Sequence, residues 1–305
     1  MILFGSRIRR ELEELLDSIP GQDPGEVALS LLELMAENAG KIGGREVDMV
    51  LEGLSRFSFI GTLCTLHMLL KGVAEDGFNN RGFRHVLGMM YRIYSEIYNA
   101  SQDAIQSYFL QALGHDSRVA ATGYSKSLAT TLLYGRSKIR ALYTIEGYPL
   151  KPGKMLAAEL RKAGVQAYHV PEDFTYWVVS NSTVVVIPVY GVSGRGWMTV
   201  DMGGAILAYT ASEKGVEILG LTHPLFTCRP SEDALLPHRV ILTRRLKRQE
   251  TTVRFSAYEH LDPSVVDKLV TPEGVIRGVD SQELEAMAEN GSKRLETIVR
   301  DVIRG

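Results

Sequence analysis

Apolar positions recur at two different periods along this chain, and the period changes near residue 117. Before that point, Leu12, Leu15, Leu16 and Ile19 share one helical face, and Val27, Leu29, Leu31, Leu32 and Met35 share the next. Asp23-Pro24, ahead of the second run, suits an N-cap with proline in the first turn. Segments 45–57 and 58–75 predict two more helices. A long run from Asn80 to Leu113 carries Val86, Met89, Met90, Ile93, Ile97, Ile105, Phe109 and Leu110 in its stripe. About five helices and no strand are expected in this half.

From Ser117 onward strands alternate with helices. RVAAT, KIRALYTIEG, VQAYHV, STVVVIPV and VEILGLTHPL read as strands. SKSLATTLLYG, KPGKMLAAELRKAG and GGAILAYTASEKG read as helices, and DFTYWVVSN as a short helix or turn. Such alternation means βαβ units, a parallel sheet and right-handed crossovers. Segment 251–278 predicts short strands and turns, and Ser281 to Ile303 a final amphipathic helix. The expected organisation is an α/β chain, with an all-helical domain at 1–116 and an α/β domain with a mainly parallel sheet at 117–305.

Composition narrows the function classes. The 305 residues are 45% hydrophobic and 23% charged, with a formal net charge of -2. Without a basic excess there is no electrostatic footprint for nucleic acid. The densest basic run, Arg244-Arg245-Leu246-Lys247-Arg248, reads as a solvated loop or helix end, with a phosphate or acidic-partner contact as the alternative. No apolar stretch is long enough to span a membrane, and the N-terminal segment lacks the features of a secretory signal. Cys64 and Cys228 sit far apart in apolar segments and read as buried thiols in a reducing compartment. The seven histidines show no metal-ligand spacing. A cytoplasmic protein with no metal and no cofactor is expected.

The segment VVVIPVYGVSGRG (184–196) reads as a buried strand emptying into a loop, the place where open α/β sheets bind ligands. It offers Val189, Tyr190, Gly191, Val192 and Ser193, with no acid, base or metal ligand among them. The turn after the first strand, Thr122-Gly123-Tyr124-Ser125-Lys126-Ser127, has one glycine, so dinucleotide and Walker-type binding are not expected. That turn can still receive a phosphate on backbone amides, hydroxyls and Lys126, or Ser125 can simply cap its helix. Tyr124, Tyr148 and Tyr190 either line a pocket or pack as ordinary strand-end tyrosines. Trp177 and Trp197 read as core or interface residues.

The order of these segments resembles the regulatory α, β and δ subunits of translation initiation factor 2B and their archaeal relatives. That family also includes isomerases of methylthioribose 1-phosphate and ribose 1,5-bisphosphate. The resemblance rests on ATGYSKS (121–127), TIEGYPLKPGKMLAAELRKAG (144–164), VVVIPVYGVSGRGWMTVDMGGAILAYTASEKG (184–215) and HLDPSVVDKLVTPEGVIR (260–277). It implies a Rossmann-like second domain and a homodimer formed through it. The isomerases use a cysteine in the first-strand turn and an aspartate after the later strand. Those positions fall here on Gly123 and Tyr190. Their phosphate-handling arginine falls on Tyr148, and their Asn-Lys pair on Val200 and Asp201, which exchanges a cation for an anion.

Two readings follow. In the first, the protein is a non-catalytic regulatory or scaffold subunit. It would bind protein partners, with translation initiation factor 2 or related subunits implied by the resemblance, and a nucleotide or sugar phosphate as a possible ligand. In the second, it is an aldose–ketose isomerase with a rewired site built from Ser125, Lys126, Glu146, Tyr148, Lys151, Ser193, Arg195 and Asp201. Glu146, at a strand end on the ligand face, reads as a pocket residue or as a partner in a cap or salt bridge. An unrelated α/β protein with the same segment order is the remaining alternative.

Overall fold

The computed structural model describes residues 2–304 except 20–21, 76–79, 148–149, 193–195, 229–238 and 247–248. Helices α1 (Ile2–Ser18), α2 (Pro24–Glu37), α3 (Gly44–Ser55), α4 (Gly61–Glu75) and α5 (Asn80–Ala112) stand where the helical stripes place them. Asp23 caps α2 by accepting from the amides of Gly25 and Glu26, and the Glu46 carboxylate accepts from the Gly43 amide at the start of α3. Leu12, Ile19, Leu31, Leu32, Met35 and Leu54 meet in one buried cluster, which also takes in Tyr190 and Tyr258 from the second half.

The sheet is built from β1 (Ser117–Ala121), β2 (Ile139–Ile145), β3 (Ala167–Val170), β4 (Val184–Val192), β6 (Glu217–Thr222), β10 (Lys268–Thr271) and β11 (Gly274–Arg277). Their order is β11-β10-β6-β4-β1-β2-β3, parallel throughout except for the β10–β11 hairpin. Helices α6 (Lys126–Tyr134), α7 (Pro152–Lys162), α8 (Thr175–Ser180) and α9 (Gly204–Lys214) connect its strands. The chain is thus α/β, with a helical N-terminal region and a mainly parallel sheet. β4 is buried at every position, which explains its unbroken branched apolar run: a central parallel strand is covered on both faces.

Several expectations change. β4 does not empty into a loop at Tyr190 but runs on to Val192, because β5 (Met198–Asp201), a strand not expected from the sequence, pairs antiparallel with its end. β9 (Tyr258–Leu261) pairs on the far side of β5. Arg244, Arg245 and Leu246 lie on strand β7 (Arg239–Leu246), paired with β8 (Gln249–Ser256), rather than in a loop or helix end; Lys247 and Arg248 lie outside the described residues. Trp177 and Trp197 are 50% and 40% exposed, so neither is a core residue. The last helix, α10 (Ser281–Arg304), packs on α4 and α5.

The cysteines are also corrected. Cys64 on α4 and Cys228 beyond β6 form a disulfide, with Cα atoms 5.8 Å apart. The bridge spans 164 positions of sequence, and only the tertiary fold closes that distance. Residues after β6 press so closely on α4 that a Cβ on Gly61 would strike the Phe226 backbone. A second close approach has the same cause: the Gly191 Cα faces the Phe59 carbonyl and the Gly61 amide, with no room for a side chain.

Candidate functional site

The carboxyl ends of β1, β2 and β4 open into a cleft. Tyr124, Tyr190, Asp201 and Tyr258 supply its polar atoms and rings, and Met155 and Met202 part of its apolar lining. Tyr190 and Tyr258 are held edge to face, with ring centroids 5.6 Å apart, and Tyr190 stacks on His223 at the same separation.

Asp201 is the chemical centre of the cleft. Its Oδ2 accepts from the Tyr190 hydroxyl at 2.8 Å, and the carboxyl also accepts from the Tyr124 amide. A Cβ on residue 123 would overlap this carboxyl. Gly123, at φ +81, therefore leaves both a left-handed turn and the room that Asp201 fills. Positions 123, 190 and 201, separate in sequence, form one constellation. Burial pushes the Asp201 carboxyl up to about 7, with the Asp23 and Glu259 charges acting in the same direction and the Tyr190 and Tyr124 donors opposing. The Tyr190 hydroxyl is raised well above its usual value by burial and by Asp201.

The turn at the start of α6 is already occupied. Asp23 Oδ1 accepts from Gly25 N at 2.7 Å and Glu26 N at 3.1 Å. Its Oδ2 accepts from Lys126 N at 2.5 Å and Ser127 N at 3.3 Å. One carboxylate thus caps two helices, α2 and α6, and takes the amides that a phosphate would need. Ser125 caps α6 by accepting from Leu128 N at 3.0 Å. The Lys126 ammonium donates to Glu26 at 2.6 Å.

Behind Asp23 lies His223, with Nε2 3.4 Å from Oδ1. Thr62 Oγ1 gives its single proton to the Pro224 carbonyl at 2.6 Å. His223 Nδ1 lies 2.8 Å from Thr62 Oγ1, whose proton is already committed, and therefore donates to that hydroxyl oxygen. Burial opposes a charge on Asp23, but the His223 ring and the Glu26 and Gly25 amides outweigh it and hold the carboxyl at about 2.

The remaining candidates are more dispersed. Glu146 pairs with Lys151 at 2.7 Å, and the Lys151 hydrogen bond keeps its carboxyl below the ordinary value. This is the salt-bridge role. Tyr124 lines the cleft and donates to Glu159 Oε2 at 2.7 Å. Tyr148, Ser193 and Arg195 lie outside the described residues. Sequence reasoning missed Asp23 as a site residue, together with His223, Tyr258 and Glu259. Asp23-Pro24 announces one cap, but nothing local announces the second helix more than a hundred positions away. Glu259 likewise accepts from Gly203 N and Ala205 N at the start of α9, a cap delivered from another strand.

No family model matches the chain, and no curated protein matches it in sequence. Solved structures do. A translation initiation factor eIF-2B from Pyrococcus horikoshii superposes with a TM-score of 0.72 at 13% identity, over 88% of this chain and 97% of the other. A chain of the tetrameric eIF2B-beta2-delta2 complex from C. thermophilum gives 0.61 at 17% identity, over 95% and 99%. The 5-methylthioribose 1-phosphate isomerase from Pyrococcus horikoshii gives 0.60 at 14% identity, over 94% and 88%. The chain has the fold these initiation-factor subunits share with the isomerase.

Proposed function

We propose that this chain is a non-catalytic regulatory or scaffold subunit of the initiation factor 2B type, working through subunit contacts and a binding cleft. The observation that carries this reading is the replacement at Gly123. Where the isomerase resemblance calls for a cysteine there is no side chain, and the Asp201 carboxyl fills the space. The amides at the start of α6 are committed to Asp23. Lys126, the candidate phosphate ligand, is committed to Glu26, and Lys151, a candidate residue of the rewired site, to Glu146.

Subunit contact is supported by an exposed apolar face on and beside α8 and α9. Phe174, Tyr176, Trp177, Ile206 and Tyr209 are each 47–61% exposed there, an arrangement typical of interaction sites. Pairing with a second copy through the α/β half is the expected use, and sedimentation of the purified protein tests it. Ile206→Glu should shift the protein toward monomer.

A second reading has one observation in its favour. Asp201, poised near neutrality and bonded to Tyr190, is a carboxyl suited to general acid or base work. Proton NMR of the protein with methylthioribose 1-phosphate and with ribose 1,5-bisphosphate separates the two readings. No ketose product is expected. Turnover abolished by Asp201→Asn would overturn the non-catalytic assignment.

A further inference from the structure

The chemistry of the cleft is unlike that of an anion site. Among the described residues lining it there is no Lys, Arg or His, and its one ionisable acid is Asp201. The groups facing Asp201 are the hydroxyl of Tyr190 on β4, the Tyr124 amide before α6, Tyr258 and Glu259 on β9, and Asp23 ahead of α2. Two of these are further carboxylates and none is a cation. A phosphate entering here would meet like charge and, among the described lining residues, no cation to offset it, and the amides at the start of α6 already serve Asp23.

The same surroundings favour the opposite charge. A carboxyl whose neighbours strengthen its hold on a proton also has reason to hold an ammonium or amidinium group, which brings both charge and donors. Tyr124, half-buried, offers an aromatic surface beside that position, and organic cations are attracted to ring faces; Tyr190 and Tyr258 line the cleft but are almost wholly buried. Leu150, Pro152, Met155, Met202 and Ala257 form the apolar wall for the rest of such a molecule. Thioether side chains adapt to differing ligand shapes. We propose that the cleft binds a small organic cation, a primary ammonium or amidinium carried on an apolar body, with its charge against Asp201 and its body along Met155 and Met202.

This rests on reading the cleft as a binding rather than a catalytic site. The test uses the full chain with isotope-labelled methionine methyl groups, titrated by NMR with matched pairs of probes. Tyramine and benzamidine carry the cation; tyrosol and benzamide are their neutral counterparts; phenyl phosphate and ribose 5-phosphate carry the anion. The two cations should shift the Met155 and Met202 methyl signals saturably. The neutral and phosphorylated probes should bind at least about tenfold more weakly, as expected for loss of a charged hydrogen bond.

Asp201→Asn keeps an acceptor for Tyr190 and should weaken tyramine binding by a similar factor. Met155→Lys places a cation at a half-exposed position of the wall, where the fold should tolerate it, and should weaken tyramine in the same direction. Equal binding of tyramine and tyrosol, undiminished binding to Asp201→Asn, saturable shifts from phenyl phosphate alone, or no shift from either cation would each overturn the proposal. Conversion of a sugar phosphate would instead overturn the non-catalytic reading, so the two failures are distinguishable.

Discussion

Asp23 and Asp201 are the same residue type on the same side of the sheet, yet the structure treats them in opposite ways. Asp23, 2% exposed, accepts four amide hydrogen bonds and faces a histidine ring. Burial opposes its charge, but the donors prevail and its carboxyl stays at about 2. Asp201 has the Tyr190 hydroxyl and the Tyr124 amide as donors, no described cation among the groups that shift it, and two carboxylates acting against its charge. Its carboxyl rises to about 7. Burial acts on both; the number of donors and the sign of the neighbours decide the outcome. The saturated carboxylate is structural and closes the seam between α2 and α6. The under-served one lies in the cleft, where a ligand can complete it.

The largest expected effect strikes the saturated seam. Asp23→Ala uncaps two helices and leaves His223 facing an empty site, and should cost about 3–5 kcal/mol of stability, measured by urea unfolding. If the loss were no greater than that for an ordinary surface aspartate, the seam would not be structural. Reducing the Cys64–Cys228 bridge, or replacing both cysteines by alanine, should cost about 2–4 kcal/mol. Thermal unfolding with and without a reductant reads this directly, and no difference between the oxidised and the reduced protein would mean the bridge is unimportant.

Acid titration should separate the two carboxyls. The depressed Asp23 contributes stability that is present above its ordinary 3.8 and lost as pH falls through about 2, amounting to about 2 kcal/mol. The raised Asp201 behaves in reverse: its contribution is full below 3.8 and lost as pH rises through about 7. Stability of the natural protein should therefore fall relative to Asp201→Asn between pH 4 and 7, and parallel profiles would contradict the assignment. The smallest effect belongs to the partly exposed Glu146–Lys151 pair. Glu146→Gln should leave the urea unfolding midpoint almost unchanged, since such exposed pairs contribute little, and a clear loss would give Glu146 a role beyond a salt bridge.

The periodicities were enough to place most helices and the parallel strands, because burial of a helical stripe or of a strand covered on both faces leaves a local trace. β5 was not legible: four residues ending in Asp201 form a strand only because the end of β4 and β9 lie on either side. The resemblance named Gly123, Tyr190 and Asp201 as altered positions and treated Asp201 as a lost lysine; the structure brings the three side by side. It makes Asp201 the side chain that fills the vacancy at Gly123.

What the sequence determined by itself, then, is what depends on neighbours along the chain: the helical half, the α/β half, the caps at Asp23 and Ser125, and the absence of a nucleotide fingerprint. What only the tertiary structure decided depends on partners far away. Asp23 reaches the α6 amides across 103 positions, Cys64 reaches Cys228 across 164, and Tyr190 and Asp201 meet through a strand pair invisible to pattern. Charge states belong to the same class, because a carboxyl's proton affinity is set by the groups packed around it, and packing is a property of the folded chain.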